Sequence, residues 1–471
     1  MTEKGITRRF LRLTGLDNIA YAVPYTRTLR QVNKLMQLDG RQLHEFQQQR
    51  LRTIVRYAYD NVELYRKKWQ QFGVHPDDIQ TVADLKKLPI ITKDDLREGF
   101  PDAIRSREFR PEDCFTVGTS GSTGSPVRVF VDFDKTMIDF ALSEPRYMGG
   151  MPPITFRRAV RDCLVRRNVM FMSIFVNNEL AYETLYARMF SLMRHTVVDC
   201  LLPPSVHIAM INEKKPLYLH TYASVLRNVC AAAKEAGVKM HHPKLIFTTG
   251  EVTDPHLRTL VRETFGTDLL DSYASVEFGF IACECPRHEG LHVFSWKALV
   301  ELLDPQGRKV PDGQAGRVVV TDLFNRATPL IRYSGLGDYA VRKKDPCSCG
   351  RPLPLLGRLE GRMVDSVILP NGQMVHPYSL TLALEDIPHL NKFQIRQERP
   401  DHVRVLLVKD RTREAEGVSF TPGGDLGRSI LNRLSTILKN QVSVELETTE
   451  DIPKKPGHRK YATVVSLVDR E

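Results

Sequence analysis

Six consecutive residues, Thr119, Ser120, Gly121, Ser122, Thr123 and Gly124, set four hydroxyl side chains among two glycines. Such a run builds no core. It also resists helix and strand, because glycine carries a large backbone-entropy cost and Ser/Thr compete for the backbone's own hydrogen bonds. It can bring peptide N–H groups and hydroxyls close to an anion, above all a polyphosphate. The flanks narrow the choice further. Cys114-Phe115-Thr116-Val117 precedes the run, and a strand pattern follows with Val127, Val129 and Val131 on one face and Phe130 on the other. A flexible Ser/Gly linker has the same composition but no reason to lie between two strands. The run is expected to be a loop anchored on sheet edges and facing phosphates, without the Gly-Lys-Ser/Thr ending of the common nucleotide loops.

The rest of the chain reads as α/β. Length, 471 residues, allows about three structural units. From residue 43 a helical period is clear in Phe46, Leu51, Ile54, Val55 and Ala58, whereas residues 1–40 are weakly patterned and read as a surface extension. Thr92 is placed to cap a helix opening at Lys93. Strands are expected at 206–210, 217–219 and 244–247, and a helix over 222–237 ending at its glycine. Two strands end in polar turns, at Thr249-Gly250-Glu251 and at Ser272-Tyr273-Ala274-Ser275-Val276-Glu277, where α/β sheets offer ligand sites. A β segment covers 293–320. A boundary falls near residue 361, dividing a large domain (1–361) from a small α/β tail (362–471). In that tail a helix is centred on Ile430, Leu431 and Leu434, with strands at 403–408, 442–446 and 463–468.

Other classes are excluded or disfavoured. No apolar run approaches the ~20 residues of a membrane span. The amino terminus has Arg8, Arg9 and Arg12 but no signal-like apolar segment, so a cytoplasmic protein is expected. The net charge of +11 comes from scattered Lys and Arg without a nucleic-acid motif, so it reads as a solvated surface that also attracts anionic small molecules.

The loop and the later landmarks Thr249-Gly250-Glu251, Ser272-Tyr273, Glu277, Asp338, Arg362 and Lys460, in that order along the chain, resemble the adenylate-forming superfamily of acyl-CoA ligases, luciferases and peptide-synthetase adenylation domains, whose loop reads Thr-Ser-Gly-Ser/Thr-Thr-Gly-x-Pro. The stretch Val55-Arg56-Tyr57-Ala58-Tyr59-Asp60-Asn61-Val62-Glu63-Leu64-Tyr65-Arg66, followed by Leu88-Pro89-Ile90-Ile91-Thr92-Lys93, is similar to the helical lead-in of the phenylacetate–CoA ligase branch. The resemblance implies a large multi-sheet AMP-binding domain with a mobile C-terminal lid. It implies ATP bound by residues 119–124, adenine held at Gly250, Glu251, Ser272 and Tyr273, and ribose on Asp338. It further implies Mg²⁺ on Glu277, Arg362 facing the nucleotide at the inter-domain Gly-Arg, and a lid lysine, Lys460, acting on the carboxylate and α-phosphate. A carboxylic acid would be joined to AMP with loss of pyrophosphate, then passed to coenzyme A. A homodimer is left open. Two alternatives remain: an adenylyltransferase that uses no CoA, and a non-catalytic scaffold.

The chain departs from the family pattern at several points. Val276 stands where Ser or Thr is usual, and one extra residue separates Arg332-Tyr333 from Gly337-Asp338. Arg459-Lys460 replaces Gly-Lys, leaving Lys455 and Arg459 as competitors of Lys460, and Val364 occupies the hinge position beside Asp365.

Eight cysteines in so long a chain do not suggest a disulfide scaffold, yet four form two close pairs. Cys283-x-Cys285-Pro-Arg-His288-x-x-x-His292 and Cys347-x-Cys349-Gly350 carry enough soft donors for a structural Zn²⁺. Cys285, His288, Cys347 and Cys349 are the preferred set, with Cys283 and His292 as substitutes.

Overall fold

A computed structural model describes residues 17–118, 127–143, 169–173, 196–200, 202–251, 253, 255–304, 306–360, 367–375, 380, 383–384, 387–409, 420–450, 452 and 464–468. The chain opens with helices α1 (Asp17–Leu35), α2 (Gly40–Asn61) and α3 (Glu63–Gln71). α1 corrects the expectation of a weakly patterned extension. Tyr25, Leu29 and Val32 recur at helical spacing and are buried, a stripe obscured in the sequence by Pro24 and by intervening polar residues. α2 starts in a capping box, with Gln42 N–H donating to Asp39 Oδ1 (2.8 Å) and Asp39 N–H to Gln42 Oε1 (3.2 Å). Its buried face is Leu43, Leu51, Ile54, Val55 and Ala58. Thr92 caps the short α4 (Lys93–Gly99) as expected, its Oγ1 accepting from Asp95 N–H at 3.3 Å.

The glycine–hydroxyl run is framed by an antiparallel hairpin, β1 (Phe115–Gly118) and β2 (Arg128–Val131), in which Gly118 faces Arg128. Helix α5 (Phe133–Leu142) follows directly. The main sheet then takes β3 (Val169–Ser173), β4 (Thr196–Asp199), β5 (Tyr218–Thr221), β6 (Leu245–Thr249), β7 (Leu269–Ser275), β8 (Gly279–Glu284) and β9 (Leu291–Val293). It continues with β10 (Ala298–Leu303), β11 (Ala315–Asp322), β12 (Tyr339–Arg342) and β13 (Leu355–Glu360). Among the described residues its order is β10-β11-β12-β13-β9-β8-β7-β6-β5-β3-β4. Pairing is parallel from β4 through β3, β5 and β6 to β7, and antiparallel from β7 onward.

Helices α6 (Pro204–Lys214), α7 (Ala223–Glu235) and α8 (Pro255–Phe265) lie along the parallel half of the chain. α6 overturns the strand expected at 206–210. The alternation of Val206, Ile208 and Met210 suggested a period of two, but the buried residues are Pro204, His207, Ile208 and Ile211, a helical set, and Val206 is exposed. α7 ends near Gly237, which takes φ +61° as a helix-terminating glycine should.

Past residue 366 a four-stranded sheet, β18-β17-β16-β19, is built from β16 (Leu390–Arg399), β17 (His402–Lys409), β18 (Ser443–Thr448) and β19 (Val464–Ser466). A two-stranded pair, β14 (Val367–Ile368) with β15 (Met374–Val375), precedes it, and helix α9 (Asp425–Ile437) covers it. These elements share a core of their own, including Phe393, Ile395, Val405, Ile430 and Leu434.

The helical lead-in braces the approach to Asp338. Tyr65 of α3 is buried; its Oη donates to Pro329 O (2.7 Å) and accepts from Ile331 N–H (3.0 Å). Arg332, buried at φ +50°, forks onto Glu301 (2.9 and 3.0 Å) and donates to Leu88 O at 2.6 Å. Removing one hydroxyl would leave a buried N–H and a buried C=O short of a partner. Tyr65→Phe should therefore lower stability by about 1–3 kcal/mol in a urea titration followed by circular dichroism; an unchanged midpoint would show that these groups find water instead.

Candidate active site

Strand β7 pairs in parallel with β6 and antiparallel with β8, so the carboxyl ends of β6 and β7 and the β7–β8 turn share one edge of the sheet. That is where open α/β sheets hold ligands. Thr249 stands opposite Ser272, which brings Gly250 and Glu251 beside Tyr273. Gly250 takes φ +75°, and a Cβ there would sit 3.3 Å from the Tyr222 ring, so the chain passes close to that ring. Ser272 is buried and its Oγ donates to Thr248 O at 2.7 Å, which ties β7 to β6. Tyr273 is also buried, and its Oη donates to Asp338 Oδ2 at 2.8 Å. Residues 65 positions apart in the chain thus share a hydrogen bond. Glu277, only 4% exposed, occupies the β7–β8 turn next to Val276, which is 41% exposed. One buried carboxylate at a strand edge, with a substrate's phosphate oxygens completing the shell, suits Mg²⁺, which keeps several waters.

The extra residue between Tyr333 and Gly337 is taken up by close packing. A Cβ on Gly335 would lie 2.1 Å from the buried Tyr333 phenol, so only glycine fits over that ring. Gly337 follows at φ +77° and turns the chain into Asp338 and β12.

The hairpin that frames the glycine–hydroxyl run is fixed at its base. Phe130 N–H donates to Thr328 Oγ1 (3.1 Å), Asn325 Nδ2 donates to Phe130 O (3.0 Å), and Arg326 N–H donates to Asp132 Oδ2 (2.7 Å). Asp132 also caps α5, accepting from Lys135 N–H at 2.8 Å, while burial pushes its carboxyl upward. The expected site residues Thr119, Ser120, Gly121, Ser122, Thr123, Gly124, Arg362 and Lys460, with Lys455, Arg459 and Val364, lie outside the described residues.

The cysteine cluster forms with one change of ligand. Cys285, His292, Cys347 and Cys349 place their donor atoms within 4.8 Å of one another. Cys285 Sγ and Cys347 Sγ are 3.6 Å apart, and Cys349 Sγ lies 3.5 Å from His292 Nε2. A tetrahedral zinc site with metal–sulfur distances of about 2.3 Å has edges of about 3.8 Å, so the donor set fits. Burial draws His292 down to about 4, which leaves the imidazole neutral as a ligand must be. His288, the histidine preferred from the sequence, is elsewhere. Its N–H closes a turn onto Cys285 O (3.0 Å), and its ring meets Asp268 (2.8 Å), Glu284 (3.3 Å) and Arg258 (3.2 Å). His292 reaches the cysteines because β9 runs back antiparallel along β8.

Sequence reasoning also missed a charged group beneath the Glu277 turn: the buried Lys135 of α5 and Lys297, and between them Asp139 of α5, whose side chain is 10% exposed. Their signal was present. Lys135 lies in a helix that also buries Met137, Ile138 and Phe140, and Lys297 falls between Trp296 and Ala298. Charges inside apolar runs are rarely solvated faces.

Residues 36–323 match a family model described as AMP-binding enzyme. The phenylacetate-coenzyme A ligase of Pseudomonas putida is 26% identical over 367 residues, 74% of this chain and 77% of that one. The phenylacetate-coenzyme A ligase of Escherichia coli strain K12 is 25% identical over 435 residues, 88% and 93% of the two chains. Among solved structures, 2-hydroxyisobutyryl-CoA ligase, in complex with 2-HIB-AMP and CoA in the thioesterification state, aligns with a TM-score of 0.65 at 20% identity. That alignment covers 92% of this chain and 91% of the other, and it speaks for a shared fold.

Proposed function

The chain belongs to the AMP-binding enzyme family, and from that premise we propose that it is an ATP-dependent carboxylate–CoA ligase of the phenylacetate–CoA ligase type. One observation carries the proposal: three separate segments that match the family's nucleotide positions, at 250–251, 272–277 and 338, converge on one sheet edge, with Tyr273 bonded to Asp338. In the first half-reaction a carboxylate oxygen attacks the α-phosphorus of ATP; the bond to the bridging oxygen breaks and pyrophosphate leaves. In the second, the thiolate of coenzyme A attacks the acyl carbon and AMP departs.

Both reactants of the first step are anions, so charge neutralisation is the main demand on the site. Gly250 and Tyr273 would flank the adenine. Asp338, its orientation set by the Tyr273 hydroxyl, would accept from the ribose hydroxyls. Glu277 would hold Mg²⁺, whose charge would offset the triphosphate. The N–H groups of 120–124 would grip the phosphates, and Lys460, brought in by residues 362–471 acting as a lid that turns near Val364, would sit between carboxylate and α-phosphate. The cluster of Cys285, His292, Cys347 and Cys349 would hold a structural Zn²⁺, closed to substrate because all four positions are protein donors.

Purified protein screened with a panel of carboxylates should release pyrophosphate in the presence of ATP and Mg²⁺, and release of AMP should require coenzyme A. Pyrophosphate release with CoA-independent AMP transfer would favour an adenylyltransferase instead, and none with any acid would argue for a scaffold. Asp338→Asn should raise the KM for ATP about tenfold or more, the loss of a charged hydrogen-bond partner, and Lys460→Ala should abolish adenylation. As purified, the protein should contain one zinc per chain by atomic emission. Cys347→Ser should lose it and His288→Ala should keep it; the reverse outcome for His288 would restore the first ligand choice.

A further inference from the structure

Lys135 and Lys297 are buried, with side chains 1% and 0% exposed. Lys135 Nζ lies 2.5 Å from Asp139 Oδ2 and 3.6 Å from Asp322 Oδ2, and Lys297 Nζ lies 2.8 Å from Asp139 Oδ1. Two cations and two anions therefore lie together, largely out of solvent, with no net charge among them. Ion groups of this kind are poor stabilisers, since apolar residues of similar size often serve as well or better. Where the ammonium hydrogens go is more telling. Lys135 donates to Phe278 O at 3.0 Å, and Lys297 donates to Phe278 O and, at 2.8 Å, to Phe280 O. These are the carbonyls one and three residues after Glu277.

The group also presses on the turn from below. Gly279 takes φ +64°, and a Cβ there would fall 2.5 Å from the Asp139 carboxylate. The turn has no side chain at that point because the ion group occupies the space. Lys135 and Asp139 belong to α5, which begins immediately after β2, the strand leaving the glycine–hydroxyl run. One short helix thus joins the flank of that run to the turn bearing Glu277. Burial drags Lys297 down to about 8 while Asp139 pulls it back up, so the ammonium keeps its proton at neutral pH.

We propose that Lys135 and Lys297, balanced by Asp139 and Asp322, are positioning residues that hold the Phe278 and Phe280 carbonyls so that Glu277 is presented to the metal–triphosphate; this rests on the role given to Glu277 under the proposed function. The group would act on metal use and not on acid recognition. Full-length Lys297→Met should raise the Mg²⁺ concentration for half-maximal pyrophosphate release about tenfold or more, the usual effect of losing a support behind a metal ligand. The KM for the carboxylate should stay as in the wild type. Lys297→Met leaves Lys135 alone against Asp139 and Asp322, one uncompensated negative charge, and can fail to fold, so Asp139→Asn/Lys297→Met, which removes one charge of each sign, is measured beside it with thermal melts. Gly279→Ala, whose methyl would wedge between the same turn and the Asp139 carboxylate, should shift the Mg²⁺ dependence in the same direction. Folded variants with wild-type Mg²⁺ dependence would overturn the inference, as would loss of folding in all three, which would make the group a requirement of the core. Glu277→Gln separates the two readings: if it leaves the Mg²⁺ dependence unmoved, the fault lies with the metal assignment itself.

Discussion

A strand can take a parallel neighbour on one edge and an antiparallel neighbour on the other, and β7 does so between β6 and β8. Every described residue assigned to nucleotide binding depends on this reversal. A parallel neighbour requires a long crossover, which places Gly250 and Glu251 on a loop at the carboxyl edge. An antiparallel neighbour permits a tight turn, and that turn carries Glu277. Had β8 continued the parallel series, a helix would occupy the place where the carboxylate now sits.

The antiparallel half has a second consequence. It returns the chain through β10 and β11, so Asp338, just before β12, arrives from far along the sequence to meet Tyr273. The N-terminal helices make that return rigid: Tyr65 holds Pro329 and Ile331, and Arg332 is clamped between Glu301 and Leu88. Arg332 and Tyr333 are both buried. They serve the segment's path.

Much of this could be read before any coordinates, and for identifiable reasons. Turn chemistry and strand ends are local, so Thr249-Gly250-Glu251 and the Ser272–Glu277 stretch fell where they were expected. The cap at Thr92 and the glycine end of α7 were equally local. Short apolar runs were not decidable: Val206, Ile208 and Met210 alternate, yet α6 buries a helical set. Choosing between His288 and His292 needed the β8–β9 register, since a residue three positions from Cys285 points around a turn whereas one seven away returns beside it. The burial of Lys135 and Lys297 was legible in their apolar neighbours, but their meeting with Asp139 and Asp322 was not, because the four span nearly 190 positions.

The hydrogen bond from Tyr273 to Asp338 bears on how a nucleotide would be received. A lone carboxylate at a crevice edge samples several rotamers, and a ligand that needs one of them forfeits affinity in selecting it. Here the Tyr273 phenol already pins one oxygen of Asp338. The ordering has been completed by folding, before any guest arrives.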